Sequence, residues 1–460
     1  MAHRWRTEDA LKWDRQRQRR RAKQRPMARL ITSVRMSATP SSSPACAAPA
    51  SSPSPPSSSP LPTPPLRPVS LGLAATALAL LLGLQPVSTD VYLPALPMLT
   101  QALGASMRSA QLTMSALILA FGLAQMIWGP VSDRVGRRPE LLLGLALFCG
   151  ASAGAAWAGS IEALVVWRAL QGTALAASVV CARAIVRDLY EPEQGAQVMA
   201  LALSGLGAIA LSGPLAGGLA AAAWGWRAPL ALVALVGAVT LAFVAWRLPE
   251  TLGTPNPQAT RLAPLLRLWA DIARHPVFLA WSLLVACTYG GLFTILAASS
   301  FVYISVLGLS PAGYGAAMAL GSLSYIAGTF VCRRWIQRHG MAGAVSRGAW
   351  ATLAGGAAMA LLAAAGVHSV WAVLLPQCLF VFAHGIHQPC GQAGVVGPFP
   401  RAAGAASALA GLVLALVAFG IGRWLGVALD GRVAPLAYGL AFWAALTCAI
   451  AWSLVQRAAR

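Results

Sequence analysis

From about residue 70 onward, apolar stretches of about 20 residues alternate with short polar breaks. A helix of about 20 apolar residues is long enough to cross the hydrocarbon core of a membrane. We number the predicted crossings as spans 1 to 12, at 71–94, 109–130, 140–158, 161–184, 196–220, 226–246, 277–303, 311–332, 344–366, 370–392, 402–428 and 434–456. The pattern therefore predicts an all-α membrane protein with 12 transmembrane helices.

The longest polar interruption, at 247–276, divides the chain into two six-helix halves, 69–246 and 277–460. The connection after span 2 reads GPVSDRVGRRP (129–139), and the connection after span 8, about 200 residues later, reads TFVCRRWIQRHG (329–340). Basic turns at matching places are typical of transporters with repeated halves. The two halves are therefore expected to be pseudo-repeats joined by a central cytoplasmic loop.

The composition excludes several classes of protein. Hydrophobic residues make up 57% of the chain and charged residues only 10%, whereas a soluble globular protein carries about 25% charged residues. Eight cysteines in 460 residues are too sparse for a secreted disulfide scaffold, so free thiols are expected. The sequence contains no Walker loop, HExxH or CxxC motif. We expect neither an enzyme nor a bound cofactor, and we expect a proton gradient to be the energy source.

Residues 1–36 are rich in arginine, and residues 37–68 form a tract of serine, proline and alanine. Proline at this density prevents a helix, and the tract lacks the apolar side chains of a core. We expect 1–68 to be a disordered, solvated cytoplasmic tail. The alternatives are that its basic stretch binds anionic lipid, or that translation begins at Met36.

Basic residues are distributed unevenly among the connections between spans. Only Arg108, Arg227 and Arg432 fall in outside connections if the tail is inside. The inside connections and the C-terminus contain Arg134, Arg137, Arg138, Arg187, Arg247, Arg261, Arg267, Arg274, Arg333, Arg334, Arg338, Arg401, Arg457 and Arg460. Because cytoplasmic loops carry excess basic residues, we expect a multi-pass protein of the bacterial inner membrane with both termini cytoplasmic. The net charge of +21 then reflects topology and contact with lipid, and no nucleic-acid partner is expected.

Asp90 is expected to be the only acid inside an apolar span, within LQPVSTDVYLPALP (84–97). A charge inside a membrane is costly and usually marks function. Asp90 in span 1 and Arg168 in span 4 are predicted to lie about 6 Å and about 10 Å from the outer ends of their helices. Burial favours a neutral carboxyl group, whereas a nearby cation favours its charged form. We therefore predict a proton-coupling site, with a static ion pair as the alternative.

The connection between spans 2 and 3 combines turn, acidic and basic residues: Gly129, Asp133, Arg134, Gly136, Arg137 and Arg138. Glycine permits tight turns, and an aspartate accepts hydrogen bonds from a helix N-terminus. The arginines are expected to pair with an acid such as Asp188 or with lipid phosphate. A merely solvated basic turn is the alternative.

This string resembles the cytoplasmic signature between the second and third helices of the major facilitator superfamily. RALQG (168–172) is similar to that superfamily's fourth-helix motif, and SGPLAGG (212–218) to the fifth-helix motif of its antiporters. STDVYLPALP (88–97), CARAIVRDLY (181–190), AASSFVYI (297–304) and AGAASALAG (403–411) resemble the bicyclomycin-resistance (Bcr/CflA) branch of drug:proton antiporters. The resemblance covers residues 70–456.

The resemblance implies transport by alternating access, with Arg168 taking part in proton coupling. It also implies that Asp133 stabilises the outward-facing state at the N-terminus of span 11. The chain departs from the family pattern at Ile209, where a small residue is usual, and at 299–300, where Ser-Ser replaces Ser-Pro. The residues implied to seal the interface between the halves and to limit proton leak are Gly213, Pro214, Gly217 and Gly218.

Aromatic and polar residues of the spans are candidates for lining a substrate cavity: Tyr92, Phe121, Gln171, Phe301, Gln377, His384 and His387. His384, His387 and Cys390 recur every three residues in FAHGIHQPC (382–390), so they lie near one helical face. A metal site, cavity lining and contacts between helices are the open interpretations of this trio. No fourth ligand is evident, so no metal site is predicted.

Together these features predict a proton-coupled exporter of lipophilic or cationic small molecules that acts as a monomer. Two alternatives stay open. The same fold exports a single metabolite, such as an amino acid, or the chain is a transport-inactive membrane sensor or scaffold that acts through its tail.

Deletion of residues 1–68 separates the transporter hypotheses from the sensor hypothesis. Because the predicted transport residues all follow residue 70, we expect cells that express the shortened chain to export dye at nearly the rate given by the full chain. A sensor or scaffold that works through its tail loses function instead. Immunoblots of membrane fractions normalise the two efflux rates to the amount of protein.

Overall fold

The computed structural model describes residues 70–190, 192–400 and 402–459. The tail predicted at 1–68 lies outside the described residues, as do Arg401 and Arg460. Over the described ranges the regular structure is entirely helical.

The first half of the chain contains seven described helices: α1 Leu71–Asp90, α2 Leu96–Ala102, α3 Met107–Val135, α4 Arg137–Ala156, α5 Ile161–Leu189, α6 Pro192–Trp224 and α7 Arg227–Arg247. A 3₁₀ turn at Leu93–Ala95 lies between α1 and α2. The other described helices are α8 Leu262–Arg274, α9 Pro276–Ser300, α10 Pro311–Ala364, α11 Val370–Val396, α12 Ala403–Ala428, α13 Ala434–Trp452 and α14 Leu454–Ala458. A π-helical turn at Phe301–Val306 extends α9.

Ten helical stretches among the described residues are long and apolar enough to cross a membrane. One of them, the 54-residue α10, is divided into two legs by Gly340 (φ 70°, ψ 176°), so it supplies both span 8 and span 9. The 33-residue α6 supplies span 5 in addition. The structure thus confirms the predicted all-α fold of 12 transmembrane helices in two pseudo-repeated halves.

The repeat is visible in how corresponding helices begin. Ser106 and Ser310 precede spans 2 and 8, and Ser160 and Ser369 precede spans 4 and 10. Each serine hydroxyl accepts a hydrogen bond from the backbone N–H three residues later, at 3.0–3.2 Å. These caps satisfy an N–H group that the start of a helix leaves without a partner. The turns after spans 2 and 8 also match, because both contain a glycine with positive φ.

Glycines let helices within each half approach one another closely. A Cβ on Gly172 of α5 would overlap the carbonyl oxygen of Leu117 in α3. In the second half, a Cβ on Gly328 of α10 would overlap the carbonyl oxygen of Phe382 in α11. Small residues have this role in membranes because helices there associate through close packing rather than through the hydrophobic effect. Spans 2 and 4 are therefore packed in the same way as spans 8 and 10.

The two halves meet along two helix pairs, α3 with α12 and α6 with α10. Gly122 of α3 faces Ala415 of α12, and Gly218 of α6 faces the backbone of Pro311 at the start of α10. Both pairs again rely on glycine to bring the helices close. Asp90, which belongs to the candidate site described below, lies beside α6, 3.8 Å from where a Cβ on Gly213 would be.

The segment between α7 and α9 contains the amphipathic helix α8. Its Ile272 is buried against the second half, whereas Leu262 and Leu266 are exposed. We call the end of the molecule that carries this segment, the 133–139 connection and the turn at 333–340 the basic face. The other end is called the opposite face.

Gly172→Ala tests the backbone packing of α5 on α3. The added methyl group has no space beside Leu117, and overpacking of this kind costs about 1–3 kcal/mol. We expect a lower apparent melting temperature for the purified protein in detergent. Gly150→Ala is the matched control, because nothing lies within 4 Å of where its Cβ would be. Equal melting temperatures for the two variants would show that the contact does not constrain the fold.

Candidate functional site

Helix α1 is interrupted at Asp90, in the middle of a membrane crossing. Pro94 lacks the N–H that would bond to the carbonyl group of Asp90 in a continuous helix, which explains why α1 ends there. Helical structure then resumes and continues to Ala102, beyond the predicted end of span 1 at residue 94. The expected depth of about 6 Å for Asp90 assumed that the helix ends near residue 94, whereas the structure places the end of this helical stretch at Ala102.

The Asp90 carboxylate faces the interface between the two halves. It is half-buried, and its Oδ1 accepts a hydrogen bond from the Thr89 hydroxyl at 2.7 Å. No basic side chain in the described part of the chain forms an ion pair with it. It interacts electrostatically with the phenol groups of Tyr289 in α9 and Tyr314 in α10, which both belong to the second half.

Arg168 is fully buried within the first half. Its Nη1 donates to Gln171 Oε1 at 2.6 Å, and its Nη2 donates to the carbonyl oxygen of Ser88 at 2.9 Å. The guanidinium carbon lies 4.4 Å from the centre of the Tyr92 ring, within the range of a cation–π interaction. A cation is favoured here because the last carbonyl groups of α1 have no helical partners. Arg168 thus binds the end of α1 rather than the Asp90 carboxylate.

The Arg168 network extends into α3 and α4. Gln171 Nε2 donates to Ser152 Oγ at 2.6 Å, and the Tyr92 hydroxyl shares a hydrogen bond with Thr113 Oγ1 at 2.9 Å. All of these side chains are fully buried. Tyr92 and Gln171, two of the predicted cavity-lining residues, therefore belong to a polar network inside the first half.

The other predicted lining residues outside the histidine trio are also largely buried. Phe121 and Phe301 are 9% and 5% exposed. Gln377 is fully buried, and its Oε1 accepts a hydrogen bond from the Tyr303 hydroxyl at 3.2 Å. Tyr303 lies in the π-helical turn that begins at Phe301. This stretch of span 7 is therefore irregular even though the family proline is missing.

Gln111 bridges the two halves, although nothing in the sequence singles it out. Its Nε2 on α3 donates to the carbonyl oxygen of Ala297 on α9 at 2.7 Å. The contact lies near the opposite face, about one turn after the start of α3. A single glutamine in an apolar helix gives no sign of its partner when that partner is a backbone group 186 residues away.

His384, His387 and Cys390 of α11 contact different partners. The pairs are His384 with Thr288 of α9 (3.0 Å), His387 with Thr352 of α10 (2.9 Å), and Cys390 with Cys332 of α10 (3.6 Å). Within the described ranges, no three histidine, cysteine or acidic side chains come together as metal ligands. Contacts between helices therefore account for the trio best among the three interpretations.

On the basic face, Arg137 joins two carboxylates. Its Nη2 lies 2.7 Å from Asp133 Oδ1, and its Nε lies 2.9 Å from Asp188 Oδ2. Arg137 is buried, so both ion pairs are partly shielded from water. We call Asp133, Arg137 and Asp188 the latch, because these side chains tie α3, α4 and α5 together.

The neighbouring arginines hold the segment at the end of α7 against the latch. Arg134 Nη1 donates to Thr260 Oγ1, and Arg138 Nη2 donates to the carbonyl oxygen of Ala245, both at 2.9 Å. In the same region the backbone N–H of Asn256 donates to the carbonyl oxygen of Asp133 at 2.8 Å. Gly129, by contrast, has room for a side chain, since the nearest atom to its Cβ position, in Val180, is 3.9 Å away.

Glu250, which sequence reasoning missed, caps the N-terminus of α4. Its carboxylate accepts hydrogen bonds from the backbone N–H groups of Arg137 and Arg138 at 2.9 and 3.1 Å. The first N–H groups of a helix lack partners and favour an anion. Gly136 (φ 112°) makes room, because a Cβ there would lie 2.6 Å from Glu250 Oε2. The only sequence cue is an acid in RLPET (247–251) directly after span 6.

Asp90 is not the only acid inside a membrane-spanning helix, so that expectation is wrong. Glu140 in the first turn of α4 is 2% exposed, and neither of its carboxyl oxygens has a hydrogen-bond partner. The sequence pattern places Glu140 at the very edge of span 3. The helix begins three residues earlier, at Arg137, and so carries Glu140 into the packed interior.

The glycines of α6 fit between α1 and α10 near the opposite face. A Cβ on Gly217 would overlap the carbonyl oxygen of Val91, and a Cβ on Gly218 would overlap that of Pro311. One glycine therefore contacts the first half and the next contacts the second half. This end of α6 is packed on both sides without space for larger residues.

The rest of the α6 motif packs less tightly or from the other side. A Cβ on Gly213 would be in ordinary contact with the Val91 side chain, at 3.6 Å. The Pro214 carbonyl oxygen lies against α10, 2.5 Å from where a Cβ on Gly315 would be. Ile209, the departure from the family pattern, is accommodated by Gly83 of α1, whose Cβ would lie 2.6 Å from the Ile209 side chain.

Comparison with known proteins identifies the family. The family model of the Major Facilitator Superfamily matches residues 78–422. Multidrug resistance protein D of Escherichia coli is 31% identical over 335 residues, which cover 73% of this chain and 83% of that protein. A bicyclomycin resistance protein homolog of Haemophilus influenzae is 26% identical over 349 residues, or 76% and 86% of the two chains. The chloramphenicol resistance protein of Pseudomonas aeruginosa is 30% identical over 302 residues, or 64% and 70%.

Solved structures share the fold at low sequence identity. The human organic anion transporter MFSD10 has a TM-score of 0.62 and 22% identity, over 84% of this chain and all of that one. The xylose transporter XylE from E. coli, in a partially occluded inward-open conformation, has a TM-score of 0.65 and 15% identity, over 83% and 96%. The resemblance to the superfamily and to bicyclomycin-resistance proteins is confirmed. The chain belongs to the Major Facilitator Superfamily and is a multi-pass membrane transporter, not an enzyme, related to drug-resistance antiporters.

Proposed function

We propose that this transporter exports lipophilic or cationic small molecules across the bacterial inner membrane in exchange for protons. The observation that carries the proposal is the position of Asp90, at a helix break between the two halves, with a Thr89 hydrogen bond and no ion pair. Relatives named for multidrug, bicyclomycin and chloramphenicol resistance support the direction and class of substrate. In this proposal the basic face and both termini are cytoplasmic.

In the proposed cycle, Asp90 binds a proton from outside and releases it to the cytoplasm as the halves rock about the central site. Burial without a basic partner favours the neutral form of a carboxyl group, and contact with water favours the charged form. Alternating exposure of Asp90 therefore lets a proton gradient drive the conformational change. Substrate and proton compete for the site, because an unprotonated carboxylate is the form that attracts a cation.

Arg168 serves this site as a positioning residue. Its bond to the Ser88 carbonyl and its stacking on Tyr92 hold the last turn of α1, two residues before Asp90. The depth and direction of the carboxylate therefore depend on the guanidinium group without an ion pair between them. This indirect route accounts for the implied part of Arg168 in proton coupling.

Alternating access requires that the two ends close in turn. On the opposite face, the tight contacts of Gly217 and Gly218 support a seal between α6 and its neighbours. On the basic face, Arg183 of α5 donates to the hydroxyl of Ser407 in α12, across the two halves. The latch lies at the same end, and its rearrangement accompanies the opening of that side in the proposed cycle.

Asp90→Asn is expected to abolish proton-driven efflux, because the amide has nearly the same shape but cannot release a proton. Cells that express the variant should accumulate a fluorescent cationic dye to the level of cells without the transporter, and an uncoupler should have no further effect. In wild-type cells the uncoupler should raise dye accumulation to that same level. Glu162→Gln, which changes an exposed acid at the start of α5, is the control and should export normally. Wild-type rates of efflux by Asp90→Asn in vesicles with a pH gradient would contradict the proposal.

Arg168→Lys separates charge from geometry. Lysine keeps the charge but cannot bond to Gln171 and to the Ser88 carbonyl while also stacking on Tyr92 as the guanidinium does. Each buried polar group that loses its partner costs about 1–3 kcal/mol. We expect Arg168→Lys to lower the efflux rate by about tenfold or more and to lower the melting temperature, and Arg168→Ala to abolish efflux. Normal efflux by Arg168→Lys would mean that only the charge matters.

A further inference from the structure

Three carboxyl groups surround one buried guanidinium group on the basic face. Arg137 pairs with Asp133 and Asp188, at 2.7 and 2.9 Å. Glu140 lies three residues after Arg137 on the same helix and is 2% exposed, and its oxygens lie beside the Ser132 hydroxyl and the Cys181 thiol but outside hydrogen-bonding geometry. Asp188 also lies 3.9 Å from Arg187, which is exposed, but Glu140 forms no ion pair with a described residue. An unpaired ionised carboxylate in a packed interior is very costly.

Among the described residues, Arg137 is the only cation that acts on Glu140. The groups that face it are Ser132 and Asp133 of α3, Cys181 of α5 and Arg137 of its own helix, with Asp188 of α5 bound to that same arginine. The Ser132 hydroxyl and the Cys181 thiol lie 3.3 Å apart and bond to each other.

Helix α7, which also packs on α4, contributes no partner either. Its charged residue at this end is Arg247, whose guanidinium group stacks on Trp246 at 4.0 Å. Glu250, directly after α7, uses its carboxylate to cap the N-terminus of α4. The charges close to Glu140 are therefore already committed to other groups.

We propose that Glu140 is a second proton-binding site of this transporter, which holds a proton while the latch is closed and releases it to water when the latch opens. The site is separate from Asp90, since Glu140 lies in the first turn of α4 on the basic face and Asp90 lies at the helix break between the halves. Arg137 then stays free to bind Asp133 and Asp188, because the neutral Glu140 does not compete for it.

The proposal makes the latch sensitive to pH. The closed form binds one proton more than the open form, so the equilibrium shifts towards the open form as pH rises, by up to about tenfold per pH unit. This dependence is best measured between roughly pH 6 and 8. Ordinary carboxylates are ionised there in both forms, so they do not make the open–closed equilibrium depend on pH. Once the pH is high enough to ionise Glu140 in the closed form as well, the slope disappears.

Hydrogen–deuterium exchange of the full chain in lipid nanodiscs measures the latch directly. The reporters are the backbone N–H groups of Arg137 and Arg138, which bond to Glu250, and that of Asn256, which bonds to Asp133. After correction for the intrinsic dependence of exchange on pH, the wild-type rates at these positions should rise by up to about tenfold per pH unit.

Glu140→Gln should remove this slope, because the amide imitates the protonated acid and cannot lose a proton. Glu140→Asp keeps an ionisable group, so its exchange rates should still rise with pH. This second variant tests the proposal even if Glu140→Gln does not fold. Glu162→Gln is the matched control at the opposite face and should behave as wild type. Asp90→Asn should also keep the slope, so failure at Asp90 and failure at Glu140 are distinguishable. A wild-type latch without a slope, or an unchanged slope in Glu140→Gln, would overturn the proposal.

Discussion

A membrane interior provides little water to stabilise a charge, so each ionisable side chain there depends on its protein partners. Arg168 meets this requirement through Gln171, the Ser88 carbonyl and the Tyr92 ring. Asp90 has only a neighbouring hydroxyl, and Glu140 forms no ion pair with a described residue and lies beside only a hydroxyl and a thiol. The well-partnered cation holds the architecture in place, and the poorly partnered acids are the groups whose charge can change at low cost. Both proposals rest on this difference.

The break in α1 connects that electrostatic constraint to the fold. Proline ends the helix at Asp90 and leaves carbonyl groups without helical partners, which is the feature that Arg168 binds. The guanidinium group is in turn fixed by the Gln171 side chain of α5 and by the Tyr92 ring, and Gly172 allows α5 to lie against α3. A change in the packing of α5 on α3 therefore alters the position of the end of α1, where the Asp90 carboxylate faces the second half.

The two ends of the molecule are held by different kinds of interaction. Near the opposite face, glycines of α6 place backbone against backbone, an arrangement that depends on shape and is insensitive to charge. On the basic face, ion pairs join α3, α4 and α5, and the Glu250 cap joins the α3–α4 connection to the segment after α7. Contacts between charged groups respond to protons and lipid charge in a way that contacts between glycine backbones do not. This asymmetry is consistent with the proposed coupling of the movement of the halves to a proton gradient.

The sequence by itself determined the twelve crossings, the two halves, Asp90 as an acid inside a span, and the family, because hydrophobic length, lone charges and short motifs are local properties of the chain. It placed the helix ends of span 1 and span 3 poorly, since a few residues at a boundary decide whether Glu140 lies at the surface or in the interior. Only the tertiary structure decided that Arg168 binds the end of α1, that Glu250 caps α4, and that the α11 histidines contact separate helices. Those contacts join residues that are far apart in the chain, and they depend on which face each helix turns towards its neighbours, so a single sequence carries no local signal for them.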